Sequence, residues 1–560
     1  MFRNVESHFS KAPQVNIERS VIDRPSTHKT SFNFGDLIPL YVDPDILPGD
    51  TVDMTTSKIV RLQTMLTPIL DDMYFDIYWF FVPHRLVWSH WKEFMGENTQ
   101  SAWIQQTQYA MPTISSPSGG FNTGTIADYM GLPVGVQWSA TDAMAPMALP
   151  FRAYALVCNE WFRSEAVTDP LLIQTGDSNQ TGSNGSSYRT DVDDGGMPFK
   201  VAKYFDYFTS MLPGPQKSAP VTFPLISGTS APVFAGDEHG HSSNAVRLRN
   251  QNGNAPTGNH FLFSTNPSNT AWSFLSSGTT STGTVAIDSQ PANIFSNLWA
   301  DLSTSVGAVT VNELRLAFQL QKFAEKMALG GSRYTEQILV NFGVQSPDSR
   351  LQRPEYLGGN RIAINVHEVT NSAQSTQDFL GDLGAKSATA DSHSDFVHSF
   401  TEHGTLLCVG CARYTHSYGQ GIERSWLRKT KESFYWPVFA ALGNQPVYDV
   451  EWYADANTIA NDTVAGYQEA WAEYRYKPSR VSGEMRPGIS NTLASWHLAD
   501  YYTQKPTLSD GWIREDKNIV DRVLAVTSSV SNQVFGDFYF DAKYTRPMPV
   551  YSIPGLIDHF

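Results

Sequence analysis

The run YFDIYWFFV (74–82), which ends at Pro83, constrains the fold of this chain more than any other stretch. Aromatic and β-branched side chains fill it and it is short, so it predicts a buried β-strand rather than a helix. It carries Asp76, and no stretch of the chain approaches the roughly 18 uncharged apolar residues of a membrane span. Such a strand needs a sizeable core, which 560 residues with 41% hydrophobic and 12% aromatic side chains can form.

The charge and turn content favour a β-rich protein whose surface is partly covered by neighbours. Charged residues make up only 17%, against about 25% in an ordinary soluble domain. The 40 Gly and 32 Pro are spread along the chain without a period, which indicates many turns. With a net charge of −15, the chain is poorly suited to coat nucleic acid unaided, so it either avoids nucleic acid or meets it through a small face or a basic helper.

The cysteines and the first residues predict folding in a reducing cytoplasm. Cys158, Cys408 and Cys411 are too few for a disulfide framework. The opening MFRNVESHFSKAPQ has no apolar core of a secretory signal, so a soluble protein without conventional export is expected.

Three helices are predicted between the strands. Two are short, over 85–96 and 152–163, and the clearest covers 313–331. Thr310 and Glu313 have capping-box spacing at the start of that helix, and two glycines stop it. Its apolar stripe, predicted to pack into the core, consists of Leu316, Leu320, Phe323 and Met327.

Two segments differ in amino-acid composition from the rest of the chain. Residues 1–30 mix basic residues with prolines and show no apolar periodicity, which predicts an extended N-terminal arm. Residues 218–305 are rich in Ser, Thr, Asn and Gly and poor in charge. A structureless loop of that length is uncommon, and its scattered aromatic residues predict an ordered, β-rich insertion.

Motifs for catalysis are missing from the sequence. It contains no GxSxG, HExxH or GxGxxG. GDLGAKS (381–387) lacks the Gly-Lys-Ser/Thr core of a phosphate loop. DVDDGG (191–196) opens like a calcium loop, but Ala202 stands where the bidentate Glu belongs. A calcium site of another kind stays open there, and no catalytic or cofactor-binding residue is assigned.

Two pairs of possible metal ligands are better explained without a metal ion. Cys408 and Cys411 have metal or redox spacing, but TLLCVGCARY is typical of an apolar strand, so buried strand cysteines are expected. His239 and His241 could hold a metal, yet two histidines in a polar loop are more often solvated. The sequence therefore predicts no metal site.

Eight blocks in order, spanning nearly the whole chain, together resemble the major capsid proteins of gokushoviruses, small single-stranded DNA bacteriophages of the Microviridae. They run from 19–39 with LPGDT (47–51) through FVPHRLVW (81–88), WKEFMGE (91–97), LPFRAYALVCNEWFR (149–163), DYFTSMLPGPQK (206–217), GGSRYTEQILVNFGVQSPDSRLQRPEYLGG (330–359) and EYRYKPSRVSGEMRP (473–487) to WHLADYY (496–502).

The resemblance implies an all-β fold with inserted helices, namely an eight-stranded antiparallel jelly-roll sandwich of the viral capsid type. The jelly-roll domain would cover 31–560, with insertions at about 97–148, 165–200 and 218–305. About sixty copies would close a T=1 icosahedral shell around the genome. The arm, 1–30, would line the shell interior and lead into the first sandwich strand.

The resemblance also implies partners in addition to other copies of the chain: packaged single-stranded DNA, a small basic internal DNA-binding protein and a host cell-surface receptor. We expect a protein of the virion, assembled in the bacterial cytoplasm. Two roles stay open for the basic residues of the arm: contact with packaged DNA, or a purely structural role between subunits. The residues are Arg3, Lys11, Arg19, Arg24 and Lys29. The insertion would protrude at the threefold axes for host attachment, with the residues Phe234, His239, His241, Phe261, Phe263, Trp272 and Phe274.

Two other functions are compatible with the same sandwich. A jelly-roll carbohydrate-binding protein or glycosidase would use aromatic loops to stack on sugars. A capsid-derived protein that no longer assembles would form neither shells nor sugar complexes. Uniform particles distinguish the capsid protein from both.

Overall fold

A computed structural model of the chain describes residues 18–98, 107–221, 310–372, 374 and 380–552, and the backbone of the strands between Val233 and Ala300. Internal contacts divide the chain into two compact units, Ser218–Ala324 and the larger remainder. None of the helices in these described ranges combines the length and the apolar character needed to cross a membrane.

Strands form most of the regular structure. In chain order they are β1 (Ser20–Asp23), β2 (Ser26–Phe32), β3 (Ile38–Ile46), β4 (Thr51–Leu62), β5 (Met73–Pro83), β6 (Ile114–Ser115), β7 (Gln180–Thr181), β8 (Val233–Ala235), β9 (Leu248–Arg249), β10 (His260–Ser264), β11 (Trp272–Ser276), β12 (Thr279–Thr284), β13 (Phe295–Ser296), β14 (Leu298–Ala300), β15 (Glu355–Ala363), β16 (Val366–Thr370), β17 (Leu383–Ser387), β18 (Thr389–Ser399), β19 (Gly404–Tyr414), β20 (Asn444–Tyr448), β21 (Val464–Glu469) and β22 (Val534–Arg546).

The α-helices are mostly short and lie in the connections between sandwich strands. They are α1 (His84–Val87), α2 (Trp91–Phe94), α3 (Ile126–Tyr129), α4 (Leu149–Val157), α5 (Val311–Gly330), α6 (Tyr334–Phe342), α7 (Asp449–Trp452), α8 (Ala456–Ala460), α9 (Ala472–Arg475), α10 (Asp510–Ile513) and α11 (Lys517–Asp521).

Two antiparallel sheets form the centre of the larger unit. The first has the order β2–β22–β4–β18, with β1 also paired to β22, and the second has the order β3–β19–β5–β15. Along the chain, each sandwich strand lies in the opposite sheet from the strand before it, with one exception: β5 and β15 are adjacent in the second sheet. This topology confirms the predicted eight-stranded antiparallel jelly roll with inserted helices.

The run 74–82 lies in β5, between β15 and β19, and confirms the predicted buried strand. Its side chains alternate between two cores. Phe75 and Trp79 pack between the sheets, whereas Phe80 and Val82 pack on the other side against the segment after β5. Because both faces of the second sheet are covered, its central strands β5 and β19 are mostly apolar on both faces rather than alternating between apolar and polar residues.

Two long connections carry the helices. The first, residues 84–354, joins β5 to β15, and the second, residues 415–533, joins β19 to β22. The predicted insertions at 97–148, 165–200 and 218–305 all fall within the first. The second was not recognised from the sequence, because its short helical turns and short strands lack a long apolar period.

The long helix forms where predicted, but its apolar stripe does not pack into the core. Helix α5 begins at Val311, and the Thr310 hydroxyl and Glu313 carboxylate each accept a hydrogen bond from the other residue's backbone N–H, as a capping box requires. Leu316, Leu320 and Phe323 are all exposed. The prediction was wrong because the buried positions of this helix are small, at Ala317, Ala324 and Ala328.

The other two helices differ in extent from their predictions. The run 85–96 divides into α1 and α2, and Gly96 follows with a positive φ of 100°. The run 152–163 is helical but begins earlier, at Leu149, and its last turn widens into a π-helix over Cys158–Phe162.

The predicted arm boundary at residue 30 falls inside a strand. Both β1 and β2 pair in register with β22, for example Val21 with Thr545 and Lys29 with Asp537. Residues 20–32 thus form the edge of the first sheet. The arm residues 1–17 lie outside the described part of the chain.

Candidate assembly and nucleic-acid surfaces

The three cysteines and the DVDDGG loop are the candidate reactive groups that the sequence singled out. Cys158, Cys408 and Cys411 are buried, and burial raises the pKa of each thiol, which confirms the interpretation of Cys408 and Cys411 as strand cysteines. Burial and the nearby Asp193 raise the pKa of Asp194 to about 7 in the DVDDGG loop. Across the described ranges, no three His, Cys, Asp or Glu side chains converge as a metal site would require.

A buried histidine just after β19, His416, joins an internal ion cluster. Nδ1 of His416 lies 2.8 Å from Asp500, and its Nε2 lies 3.1 Å from Glu515. Lys203 donates to the other Asp500 oxygen at 3.0 Å. Although burial acts to lower it, the carboxylates of Glu515 and Asp500 raise the pKa of His416 to about 9. The cluster links both long connections to the end of β19, so its role is structural.

The structure places the described arm residues at the edge of the first sheet, in different environments. Arg19 is exposed just before β1. The Lys29 side chain is 77% exposed and lies 3.9 Å from Asp537. In contrast, Arg24 donates to Asp43 at 2.6 Å, and its guanidinium lies 4.7 Å from the centre of the Tyr544 ring. Arg3 and Lys11 lie outside the described residues.

The predicted protrusion residues lie on several strands of the smaller unit. Phe234 is in β8, Phe261 and Phe263 are in β10, and Trp272 and Phe274 are in β11. Strands β10, β11 and β12 form one antiparallel sheet, in which Phe263 pairs with Ser273. His239 and His241 lie outside the described residues.

The second long connection exposes a group of large apolar side chains, which we call the 434–442 segment. Its exposed members are Phe434, Tyr435, Trp436, Val438 (89% exposed) and Leu442.

The backbone of the 434–442 segment is held in place although its side chains face solvent. The indole Nε1 of Trp471 donates to the Phe439 carbonyl at 2.8 Å. The Tyr435 backbone N–H donates to the Tyr474 hydroxyl at 3.1 Å, and its ring meets Trp471 edge-on. Fixed, exposed apolar groups are typical of protein–protein contact surfaces. The sequence did not predict this segment, although the run ESFYWPVFAAL (432–442) concentrates aromatic residues next to polar ones.

Helix α6 presents a second exposed apolar group. Tyr334, Leu339, Phe342 (79% exposed) and Val344 are all exposed, and the helix buries none of its residues. Arg333, directly before the helix, anchors it by pairing with Glu165 at 2.6 Å. Like the 434–442 segment, α6 is anchored to the rest of the chain and exposes large apolar side chains.

These features fit one class of protein, the structural subunits of viral capsids. In such subunits a jelly-roll sandwich is the rigid scaffold, and long insertions on it carry the contacts. Sequence comparison gives the family: the chain belongs to the family described as Capsid protein (F protein), whose profile matches residues 10–556.

Full-length relatives agree with this assignment. The chain is 38% identical to Capsid protein VP1 of Spiroplasma virus 4, with 98% of this chain and 97% of the relative covered. It is 37% identical to Capsid protein VP1 of Bdellovibrio phage phiMH2K (100% and 99% covered) and 36% identical to that of Chlamydia phage 1 (99% and 98% covered).

The resemblance to gokushovirus capsid proteins is thereby confirmed, and the chain is a major capsid protein of the small single-stranded DNA phage type, found in the virion. The family is structural rather than enzymatic. Because the chain belongs to this family, the alternative of a carbohydrate-binding protein or glycosidase is disfavoured.

Proposed function

We propose that about sixty copies of this chain assemble into a T=1 icosahedral shell that encloses the phage genome. The observation that carries the proposal is the 434–442 segment, whose apolar side chains are exposed on an anchored backbone. A closed shell repeats the same contacts between all copies, and such contacts bury apolar and aromatic groups at their centres. The α6 group is a second surface of the same kind.

The test is negative-stain electron microscopy of the purified protein, alone and with DNA and a small basic phage protein. Wild type is expected to form uniform shells. Val438→Asp combined with Trp436→Ala places a charge in the contact and removes a large apolar group, so we expect few or no shells and a folded, unassembled protein. Shells formed by this variant as efficiently as by wild type would contradict the role of the segment.

Lys431→Ala is the matched control. Lys431 lies just before the segment, its side chain is 83% exposed, and that side chain forms an exposed ion pair with Glu432 at 3.6 Å. Its carbonyl accepts from the Trp436 indole at 2.8 Å, and the substitution by Ala retains this backbone group. Exposed ion pairs contribute little to stability, so this variant should assemble like wild type. Only small oligomers from wild type, with every partner supplied, would contradict the shell itself.

The smaller unit is the proposed attachment surface. We infer that the insertion 218–305 forms a protrusion at the threefold axes and that its aromatic and histidine side chains contact a host cell-surface receptor. Its low charge and its position within one connection support this role, because long surface insertions on a rigid scaffold commonly carry recognition.

The proposed inner partners are packaged single-stranded DNA and a small basic protein that helps to condense it in the host cytoplasm. A net charge of −15 supports the need for such a helper. The N-terminal arm would face the shell interior, with Arg3, Lys11, Arg19 and Lys29 available for phosphates. Arg24 would contribute less because Asp43 already pairs with it.

A further inference from the structure

A cleft of about 520 Å³ opens in the larger unit beside the second long connection. Residues 418–426 form one wall and residues 476–486 form the other, and we call it the 418–486 cleft. The buried rings of Tyr207, Phe208 and Tyr418 lie at its base. It is separate from the 434–442 segment, none of whose residues lines it.

Two aromatic side chains of the cleft remain exposed to solvent. Trp426 is 78% exposed and Tyr476 is 57% exposed, although both line the cleft. Trp426 lies in a 3-10 turn (Arg424–Leu427), and that turn is fixed where the Arg424 guanidinium donates to the Pro446 carbonyl at 2.6 Å. Exposed rings on a fixed backbone are platforms on which a flat ring can stack.

The carboxylates of the cleft are neutralised by arginines and a lysine of the protein. Glu451 pairs with Arg424 at 3.0 Å, and Glu473 pairs with Arg424 at 3.7 Å and with Arg428 at 3.2 Å. Glu423 lies 3.3 Å from Lys477 and 3.8 Å from Arg480.

Beyond these pairs, the cleft keeps positive charge. The exposed Arg486 donates to the Gly419 carbonyl at 2.7 Å, which directs its guanidinium to the cleft without cancelling its charge. Three carboxylates of the cleft, Glu423, Glu451 and Glu473, are outnumbered by five cations that line it or pair with them, in a chain whose net charge is −15. These cations are Arg424, Arg428, Lys477, Arg480 and Arg486. This local excess of cations favours an anionic ligand.

We propose that the 418–486 cleft binds a nucleotide unit of single-stranded DNA, with a base stacked on Trp426 or Tyr476 and a neighbouring phosphate held by Arg480 and Arg486. Aromatic platforms next to cations are the combination that binds single strands without sequence preference. A contact with another copy of the chain would be expected to be mainly apolar, as the 434–442 segment is. The inference rests on the proposed function, which supplies the enclosed genome as the ligand.

The test is fluorescence anisotropy of a labelled oligo-dT titrated with the full-length protein before assembly. Removing a stacking platform typically weakens binding about fivefold or more, so Trp426→Ala is expected to do the same. Replacing Arg480 and Arg486 by Ala should also weaken binding. This double substitution should also reduce the slope of the logarithm of the binding constant against the logarithm of the salt concentration. The expected reduction is about 0.7 for each phosphate that the protein no longer neutralises.

Matched controls come from the same connection. Trp436→Ala removes an exposed tryptophan outside the cleft, and Arg475→Ala removes an exposed arginine that pairs with Glu469 at 2.6 Å. Both should bind oligo-dT as wild type does. Wild-type affinity of Trp426→Ala, or an equal weakening in the controls, would overturn the proposal.

Particle formation by the same variants separates this inference from the proposed function. Trp426→Ala should still form shells. If it fails to do so while its oligo-dT affinity is unchanged, the cleft is a subunit contact and the inference is wrong. If wild type binds oligo-dT through Trp426 but never forms shells, the shell proposal fails and the cleft assignment stands.

Discussion

At the residue scale, a single arginine organises part of the first long connection. Arg152 on α4 is fully buried, and its guanidinium donates to the Gln180 side chain at 3.1 Å. It also donates to the carbonyls of Val87, Gly176 and Ser178 at 3.0–3.2 Å. The Val87 carbonyl is at the C-terminal end of α1, and the carbonyls of Gly176 and Ser178 lie in irregular backbone, so Arg152 supplies hydrogen bonds that no regular element provides there.

Arg152→Met should destabilise the unassembled protein by at least about 3 kcal/mol, since it leaves several buried acceptors without donors. Urea unfolding followed by circular dichroism measures this change. Arg189→Ala is the control, because the Arg189 side chain forms an exposed pair with Asp169 at 3.3 Å, and loss of such a pair is expected to cost about 0.5 kcal/mol or less. Equal effects of the two variants would show that the buried hydrogen bonds are unimportant.

At the scale of elements, the ion cluster around His416 fixes the connections to the sandwich. Lys203 belongs to the first long connection, Asp500 and Glu515 belong to the second, and His416 follows β19. Despite burial, Lys203 and His416 lower the pKa of Asp500. Opposite charges thus stabilise the charged states of His416 and Asp500.

The cluster makes stability depend on pH in the alkaline range. The pKa of His416 is about 9 when folded and 6.5 in the reference state, so its contribution is complete below pH 6.5 and disappears as pH rises through 9. The expected decrease for wild type is up to about 3 kcal/mol, measured as unfolding free energy between pH 6 and 10.

His416→Gln should remove most of that pH dependence and be less stable than wild type at pH 6. His90→Gln provides the comparison, because His90 pairs with Asp177 at a partly exposed position. An alkaline profile of His416→Gln that matches wild type would assign the dependence to other groups.

At the scale of the whole molecule, the two compact units predict separable functions. Deleting 218–305 and joining its ends with a Gly-Ser linker leaves α5 complete, because that helix begins at Val311. The jelly roll and the 434–442 segment are retained, so shells are expected to form while attachment to host cells is abolished. Electron microscopy and a cell-binding assay measure the two outcomes. An insoluble deletion protein would count against an independent insertion.

The sequence by itself predicted the elements whose signals are local. The apolar run of β5, the capping box of α5 and the buried strand cysteines all formed as expected, because these signals act between residues close along the chain. The fold class followed from eight blocks that resemble a family, and the sheet order agrees with it. The five basic arm residues were proposed from charge alone, and at Arg24 the sequence did not reveal the pairing with Asp43.

Only the tertiary structure decided which surfaces are covered. The α5 stripe has the period of a core-facing helix, yet its large residues are exposed, whereas Trp436, Val438 and the 418–486 cleft gave no periodic signal at all. Periodicity shows which side chains share a face, but what packs on that face depends on segments far away in the chain. In a capsid protein the covering partner can also be another copy, which the sequence of one chain does not place.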